Sequence, residues 1–311
     1  MNIRFKAPLI VILGPTAVGK TSAAIILAQR LEGEIISADS RQLYRKMDIG
    51  TAKPTRAELD AVRHHMVDVA NPDESWNLAI YQRKAYRAID DILQRNKLPF
   101  LVGGTGQYIR SIIEGWKIPP QRPDDNLREA LNHWAESVGA EGLYERLKLI
   151  DPEAAGRIDY RNLRRTVRAL EVIFKTGERF SDLRNRQECL YHPIILGIDR
   201  PREDLYERVD RRVDQMLDGG LVDEVRSLLE EGFPPDLPTL SAIGYDEIIR
   251  YLQGEIGYQE AVILIKRNTR TFVRRQANWF KPGDPRITWV EASDQMVDQM
   301  EQIIRRKMHE R

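Results

Sequence analysis

The stretch LIVILGPTAVGKT, residues Leu9 to Thr21, decides the fold. Its first part, Leu9–Leu13, has the length and β-branched content of a buried strand. It runs into Gly14–Thr21, which has the Walker A spacing G-x-x-x-x-G-K-T, and then into an apolar-periodic helix at Ser22–Leu31. In such a loop the backbone N–H groups face an anion, the lysine adds positive charge, and the threonine hydroxyl ligates Mg²⁺. The motif predicts that the chain binds a di- or triphosphate, and leaves open which one.

The predicted phosphate-binding residues are Gly14, Pro15, Thr16, Ala17, Val18, Gly19, Lys20 and Thr21, and Thr21 is also the predicted metal ligand.

Composition narrows the class of protein. With 311 residues and 42% hydrophobic content, the chain can bury the core of one large or two modest domains. Its 48 Lys and Arg against 47 Asp and Glu leave a net charge of +1, which indicates no class of partner by itself. The one cysteine, Cys189, excludes a disulfide framework and a cysteine-cluster metal site. Because the first apolar run is too short for a signal peptide and no run approaches the ~18 residues of a membrane span, we expect a soluble cytoplasmic protein. The balanced composition favours a monomer.

Strand and helix patterns divide the chain. Further strands are predicted at Glu34–Ser40, His64–Val69, Leu98–Val102, Pro193–Asp199 and Arg286–Val290. A proline-rich connector, Ile118–Pro123, is followed by the helical patterns Asn126–Val138, Glu141–Ile150 and Asn162–Thr176. The predicted fold is α/β, a P-loop NTPase-like parallel sheet flanked by helices with an inserted all-helical domain. We place the core at residues 1–115 and 193–311 and the insertion at residues 116–192.

Polar residues follow two of the predicted strands. Asp39 and Ser40 end one strand, and Gly103–Tyr108, GGTGQY, follows another. In an open α/β sheet these carboxyl ends face the ligand. Position alone leaves open whether Asp39 instead caps a turn, and whether the glycines form only a tight structural turn. The pair His64 and His65 lacks a third ligand at a sensible spacing, which favours a structural role.

Basic residues recur on the later helices. The spacing of three or four residues among Arg161, Arg164, Arg165 and Arg168 predicts that they share one helix face. Such a face is typical of a phosphate-backbone contact or of a solvated helix with internal ion pairs. Arg208 and Arg212 lie one turn apart on a predicted helix, and either could reach an anion. The predicted helix Tyr258–Lys281 interleaves basic and aromatic residues, which suits a nucleic-acid surface or buried aromatics beside exposed arginines.

Taken together, the motifs of this chain resemble the tRNA dimethylallyltransferases, also called tRNA isopentenyltransferases, over nearly its whole length. The motifs that carry the resemblance, in the same order as in the family, are GPTAVGKT (Gly14–Thr21), SADSRQLY (Ser37–Tyr44), MDIGTAKP (Met47–Pro54), LVGGTGQY (Leu101–Tyr108), RALE (Arg168–Glu171), SAIGY (Ser241–Tyr245) and RRQANWF (Arg274–Phe280). The resemblance implies transfer of a dimethylallyl group from its diphosphate to N6 of the adenosine 3′-adjacent to the anticodon, with Mg²⁺ as cofactor and the tRNA anticodon stem-loop as partner.

The resemblance also implies roles for individual residues. Asp39 resembles the general base for the adenine amine, Thr105 the threonine that binds the bridging oxygen of the diphosphate, and Arg212, with Lys20, the cation on the leaving group. Of the arginine pair, Arg212 rather than Arg208 matches the catalytic position. The implied tRNA contacts are Asp39, Ser40, Arg41, Gln42, Thr105, Arg128, Arg164, Arg165, Thr166, Val167, Arg168, Ala242, Ile243, Gly244, Tyr245, Asp246 and Glu247.

Three other hypotheses remain. A P-loop small-molecule kinase shares the fold but has no use for the GGTGQY loop or the basic helices. An adenylate isopentenyltransferase is similar around the P-loop but does not need the long helical insertion. A non-catalytic RNA-binding protein would not need the intact Lys20, Thr21 and Asp39.

Overall fold

The computed structural model of the chain describes residues 6–118, 124–183 and 188–310. The chain divides into two compact units, Met1–Ile113 with Cys189–Arg311, and Glu114–Glu188. The connector predicted at residues 118–123 lies, apart from Ile118, outside the described residues. Within the described residues, no helix has the length and apolar content needed to cross a membrane.

The first unit is built on a parallel six-stranded sheet. Its strands are β1 (Pro8–Leu13), β2 (Gly33–Ser37), β3 (His64–His65), β4 (Leu98–Gly103), β5 (His192–Asp199) and β6 (Ile287–Glu291). They lie in the order β3-β2-β4-β1-β5-β6, and the neighbouring strands pair in parallel. The predicted parallel α/β core is confirmed, and the loops after β1, β2 and β4 therefore meet at one edge of the sheet.

Helices flank the sheet and also form the second unit. In chain order they are α1 (Lys20–Arg30), α2 (Arg56–Ala61), α3 (Leu78–Gln94), α4 (Gly106–Ile113), α5 (Asp125–Ile150), α6 (Pro152–Ala155), α7 (Leu163–Thr176), α8 (Phe180–Leu183), α9 (Arg202–Asp218), α10 (Leu221–Glu230), α11 (Tyr245–Leu252), α12 (Tyr258–Ala277) and α13 (Met296–His309). Helices α5 to α8 belong to the second unit and the others to the first.

The central strand β1 is covered on both faces. Leu9, Val11 and Leu13 pack in one apolar cluster with residues of α3 and α11, whereas Ile10 and Ile12 pack in another with residues of α1 and α13. Side chains alternate along a strand, so a strand covered by helices on both sides needs an unbroken apolar run. This is why the sequence here is continuously hydrophobic rather than alternating.

The strand predicted at His64–Val69 is wrong in its extent, because only its first two residues pair with β2. Met66 and Asp68 adopt left-handed backbone conformations, with φ of 65° and 54°, which end the extended strand. The chain turns there and makes a single parallel bridge between Tyr44 and Ala70.

The two histidines of β3 have structural partners. His64 Nδ1 lies 2.7 Å from the Val62 carbonyl oxygen, and His65 Nε2 lies 2.7 Å from a carboxylate oxygen of Glu34. Among the described residues, no group of three or more His, Cys, Asp or Glu side chains is placed to hold a metal ion.

The second unit has its own small core. Leu131 and Leu147 of α5 pack with Leu170 of α7. Gly139, with φ of 78°, interrupts the helical backbone of α5 between the two helices predicted from the sequence. In the part of the second unit that the structure describes, the regular elements are helices, and α5, α6 and α7 share this apolar core.

Candidate active site

The phosphate loop between β1 and α1 depends on its glycines. Gly14 has φ of 152°, and a Cβ there would lie 2.9 Å from the Ile198 carbonyl oxygen. Gly19 precedes α1 with φ of 108° and provides no side-chain cap, and no acidic residue lies in the first turn of the helix. The free N–H groups and the positive end of the helix dipole at this terminus therefore face the loop, an arrangement that binds anions.

Lys20 lies at the centre of the positive charge. Its Nζ donates to the Pro15 carbonyl over 2.7 Å. Burial, reinforced by repulsion from Arg212, lowers the pKa of Lys20 to about 8, although Asp39 acts in the opposite direction. Because the positive charge of Lys20 is only partly compensated, binding of an anion beside it is favourable.

Helix α9 supplies further cations. Arg212 Nη2 lies 3.4 Å from the Ala52 carbonyl oxygen, and Arg208 Nε donates to the Ala17 carbonyl over 2.8 Å. Burial lowers the pKa of Arg212, and Asp39 partly opposes this effect. A cavity of about 410 Å³ separates the phosphate loop from α9. Its lining comprises Ala17, Gly19, Lys20, Thr21, Ser22, Ala52, Lys53, Pro54, Glu58, Arg208, Arg211, Arg212 and Gln215.

The loop after β2 carries the predicted base. Asp39 Oδ1 accepts a hydrogen bond from the Arg41 amide over 2.8 Å, which orients the carboxylate. The pKa values of Lys20 and Arg212 are both lowered by burial, and the Asp39 carboxylate lies close enough to both groups to offset part of this lowering. The structure therefore brings together three of the predicted catalytic side chains, although Asp39 also fills the turn-forming role that the sequence left open.

Two other residues of this loop that were predicted to contact tRNA, Arg41 and Gln42, form hydrogen bonds within the protein. Gln42 Oε1 accepts from the Ser37 hydroxyl over 3.0 Å, and its Nε2 donates to the Ala52 carbonyl over 3.2 Å. The Arg41 guanidinium donates to the Thr239 carbonyl over 3.0 Å. Contact of either side chain with an adenine would require these bonds to be exchanged.

The GGTGQY loop after β4 is joined to the loop after β2. The Thr105 amide donates to the Ala38 carbonyl over 3.1 Å, and the Ser40 amide donates to Thr105 Oγ1 over 3.1 Å. A Cβ at Gly103 would lie 2.2 Å from the Ala38 carbonyl oxygen, so only glycine allows this approach. Gly103 thus allows a tight junction between the two loops, in which the Thr105 hydroxyl lies beside the Ser40 amide.

Gln276 of α12 was not predicted as a site residue. Its Oε1 accepts from the Thr16 amide over 2.8 Å, and its Nε2 donates to the Gly104 carbonyl over 3.2 Å. The residue is only 8% exposed. One buried amide therefore links the phosphate loop to the GGTGQY loop. The motif RRQANWF was the only signal in the sequence, and it does not specify which of its residues faces the site.

Arg211 and Lys53 were not predicted as site residues either, and Arg208 was only the weaker candidate of its pair, yet all three line the cavity. Lys53 Nζ is held by the Tyr44 carbonyl at 2.6 Å and by the carboxylates of Asp48 and Asp68. Its charge is therefore already compensated, in contrast to that of Lys20.

The predicted tRNA contacts of the second unit differ in exposure. Arg164 and Arg165 of α7 are exposed. Arg128 Nε and Arg168 Nη1 both donate to the fully buried Glu171 carboxylate, over 2.9 and 2.7 Å. Burial alone would raise the pKa of Glu171, but hydrogen bonds led by that from Arg168 outweigh it and lower the pKa. Arg128 and Arg168 therefore have a structural function within this unit, whatever else they contact.

The predicted arginine face of this unit is wrong at its first member. Arg161 precedes the Asn162 cap of α7, so it does not lie on the helix, and its guanidinium pairs with Asp159. Thr166 and Val167 are buried, the first with its hydroxyl directed at the Asn162 carbonyl and the second in the apolar core. Their side chains are not available to RNA in this structure.

The predicted contacts at Ala242–Glu247 are largely internal as well. Within this segment only Asp246 is exposed and Ile243 half-buried. Tyr245 donates its hydroxyl to Glu224 over 2.6 Å. Glu247 accepts from the Gly244 amide and from Asn268, both over 2.7 Å. Tyr245 and Glu247 therefore stabilise the protein. Within this segment, only the side chains of Asp246 and Ile243 are accessible to RNA.

Comparison with known proteins gives consistent matches. The family model described as IPP transferase matches residues 42–283, and one described as isopentenyl transferase matches residues 7–73. The chain is 50% identical over 274 residues to the tRNA dimethylallyltransferase of Roseiflexus sp. (strain RS-1), covering 88% of this chain and 90% of that relative. It is 42% identical over 310 residues to the tRNA dimethylallyltransferase of Thermomicrobium roseum, covering 98% of this chain and 94% of that relative.

Solved structures agree with these matches. The tRNA isopentenylpyrophosphate transferase of Bacillus halodurans superposes with a TM-score of 0.74 at 40% identity, covering 98% of each chain. A eukaryotic dimethylallyltransferase acting on tRNA superposes with a TM-score of 0.78 at 27% identity, covering 97% of this chain and 77% of that one.

Proposed function

This chain belongs to the tRNA dimethylallyltransferase family, and we propose how its own residues divide the work of the family reaction. It transfers a dimethylallyl group from dimethylallyl diphosphate to an adenine of tRNA, and the acceptor is N6 of the adenosine 3′-adjacent to the anticodon. The observation that supports the division of roles is the position of the Asp39 carboxylate beside Lys20 and Arg212 at the phosphate loop.

The diphosphate is bound by the cavity between the phosphate loop and α9. N–H groups at the start of α1 and the cations of Lys20 and Arg212 meet its charge. As the bond between C1 of the allyl group and the bridging oxygen breaks, the electron pair leaves with the diphosphate. Preorganised donors stabilise such a developing charge more effectively than water does.

The adenine amine is the nucleophile. Its nitrogen forms the new bond to C1, and Asp39 accepts the proton that the amine loses. Because a stacked loop hides this amine, the adenosine must be extruded from the stack before it can reach the site. Ser40 and Thr105, joined by a hydrogen bond at the junction of the two loops, border the path of the base.

Mg²⁺ fits the donors that this site provides. Thr21 lines the cavity, and Mg²⁺ is commonly bound through one or two protein oxygens together with phosphate oxygens and water. When bound, Mg²⁺ would neutralise part of the diphosphate charge. The Thr21 hydroxyl would hold it against the substrate.

The experiment uses labelled dimethylallyl diphosphate with Mg²⁺ and either unmodified tRNA or AMP. We expect label in tRNA, at the adenosine after the anticodon as located by nuclease digestion and mass spectrometry. Label in AMP but not in tRNA would support the adenylate isopentenyltransferase alternative and overturn the proposal. Phosphate transfer from ATP to a small acceptor, without prenyl transfer, would support a kinase instead. We also expect the protein to act as a cytoplasmic monomer, which light scattering checks for its mass in solution.

A further inference from the structure

Residues 47–54 form one wall of the cavity between the phosphate loop and α9. Within this segment, Ala52, Lys53 and Pro54 line the cavity. Arg212 Nη2 lies 3.4 Å from the Ala52 carbonyl oxygen. In the part of the chain that the structure describes, the Arg212 guanidinium has no other hydrogen bond, and no carboxylate lies within ion-pair distance of it. The position of the Ala52 carbonyl therefore bears directly on the orientation of this guanidinium.

Ala52 adopts a backbone conformation that its neighbours must hold. Its φ of 48° is left-handed, which costs energy for a residue with a Cβ and persists only where surrounding contacts maintain it. The Ala52 amide donates to the Ile49 carbonyl over 2.9 Å, and the Lys53 amide donates to the Asp48 carbonyl over 3.0 Å. The position of Ala52 therefore depends on that of Asp48 and Ile49.

Glu224, in the first turn of α10, holds these two residues from the other side. Its carboxylate accepts hydrogen bonds from three consecutive amides, those of residues 48–50, over 2.9, 2.7 and 3.1 Å. The Tyr245 hydroxyl donates to the same carboxylate over 2.6 Å. Hydrogen bonds to an ionised carboxylate are stronger than those between neutral groups, so one side chain fixes the start of the segment.

Close packing restricts the segment further. A Cβ at Gly50 would overlap the ring of Tyr245 and lie 2.9 Å from Leu221 Cδ1, so only glycine allows this approach. Leu221 is the first residue of α10 and Tyr245 the first of α11. The segment is thus seated against the starts of two helices, with the Glu224 carboxylate bonded to its backbone.

We propose that Glu224 is a positioning residue of the transfer reaction: by holding residues 48–50 it fixes the Ala52 carbonyl, and through that carbonyl it orients the Arg212 guanidinium toward the leaving diphosphate. The inference rests on the proposed function, which gives Arg212 this role. A guanidinium is a planar fork, and its paired hydrogen bonds to phosphate oxygens depend on its orientation. Displacement of a group at the site by about 1 Å can lower the rate about 100-fold.

The test begins with Glu224→Gln. This variant keeps the size of the side chain but replaces one acceptor oxygen by an N–H donor, which faces a backbone N–H group whichever way the amide turns. We expect kcat/KM for dimethylallyl diphosphate and the affinity for inorganic pyrophosphate each to fall about tenfold, with tRNA affinity unchanged. Steady-state kinetics, titration calorimetry and filter binding measure these quantities. Glu230→Gln, at an exposed acid of the same helix, should change none of them.

A double-variant cycle with Arg212→Lys separates positioning from general stabilisation. Lysine keeps the charge but has no planar fork to orient, so Glu224→Gln in that background should change kcat/KM and pyrophosphate affinity less than about twofold. An equal loss in both backgrounds would overturn the proposal.

Tyr191→Phe is the control for stability. It removes a hydrogen bond to the Asp90 carboxylate elsewhere in the first unit, and it should lower the free energy of unfolding while kcat/KM stays as in the wild type. A loss of kcat/KM equal to that of Glu224→Gln would assign the effect to stability and contradict the inference.

The proposed function is tested separately by prenyl transfer in the wild type. If transfer to tRNA occurs but the cycle shows no coupling between Glu224 and Arg212, only the inference fails. If transfer is absent, the function fails, and the pyrophosphate affinities of the same four proteins still decide whether Glu224 acts through Arg212.

Discussion

The amide of Thr16 donates to Oε1 of Gln276 over 2.8 Å, a contact between residues 260 positions apart in the chain. Through its Nε2, the same side chain donates to the Gly104 carbonyl. Two loops that follow different strands are thus held by one buried side chain. The relative position of the phosphate loop and the residues around Thr105 depends on it.

Gln276→Glu should therefore impair catalysis without unfolding the protein. The carboxylate keeps an acceptor for the Thr16 amide but loses the donor to Gly104, and its charge opposes a bound diphosphate. We expect kcat/KM for dimethylallyl diphosphate to fall about tenfold or more, as loss of one buried hydrogen bond predicts. Steady-state kinetics measures this. Gln299→Glu makes the same change at an exposed position of α13 and should leave the kinetics as in the wild type.

Asp39→Asn tests the role of the base. The variant keeps the size of the side chain and an oxygen for the Arg41 amide, but it does not accept a proton at neutral pH. We expect kcat to fall by about 100- to 10,000-fold, the range of general-base contributions, with tRNA affinity nearly unchanged. Single-turnover rates and filter binding measure the two quantities. Asp236→Asn, an exposed acid, is the control; a large loss of tRNA affinity with normal turnover would show that Asp39 binds rather than catalyses.

The pKa of Lys20, lowered to about 8 by burial, predicts a pH dependence of diphosphate binding. Below pH 8 the ammonium is charged, and above pH 8 the free protein progressively loses that charge. Since the bound anion favours the charged form, affinity should fall as pH rises above 8, by up to about tenfold per pH unit, with proton uptake on binding.

Titration calorimetry in buffers of different ionisation enthalpy measures both the affinity and the proton uptake. Lys20→Arg keeps its charge throughout this range, so its binding should lose the decline above pH 8. The same decline in that variant would assign it to another group.

Tyr245→Phe separates a structural role from an RNA contact. The Tyr245 hydroxyl donates to Glu224, whose carboxylate also accepts from the amides of Asp48, Ile49 and Gly50. Loss of this hydrogen bond should lower the free energy of unfolding by about 1 kcal/mol, measured by chemical denaturation, with tRNA affinity unchanged. Tyr258→Phe, at a partly exposed tyrosine, should change neither quantity. Weaker tRNA binding at unchanged stability would instead place the Tyr245 hydroxyl on the RNA.

Arg164→Gln with Arg165→Gln tests the predicted RNA contact of the second unit. Both side chains are exposed, so their loss should make the salt slope of tRNA binding shallower by about two without changing the melting temperature. Arg168→Gln is expected to behave differently. It removes a hydrogen bond from the buried Glu171 carboxylate, and the melting temperature should therefore fall. An unchanged slope in the double variant would mean that these arginines face only solvent.

The sequence by itself determined the phosphate loop, the parallel core and the position of Asp39. Each depends on contacts within a short stretch: an apolar run becomes a buried strand, and the residues after it lie at the carboxyl edge of the sheet. The motif order was specific enough to indicate the family as well. Only the tertiary structure decided which residues within a motif face the site.

Gln276 meets Thr16 and Gly104 because α12 packs against both loops, and no local pattern encodes a contact across 260 residues. The packing of neighbouring elements likewise buries Tyr245 and Glu247, whose side chains form hydrogen bonds within the protein. Lys266 and Arg270 of α12 form ion pairs because the acids of α9 lie beside them. Periodicity predicts that a helix has two faces, but neighbouring elements decide which face is covered and which charges remain for a partner.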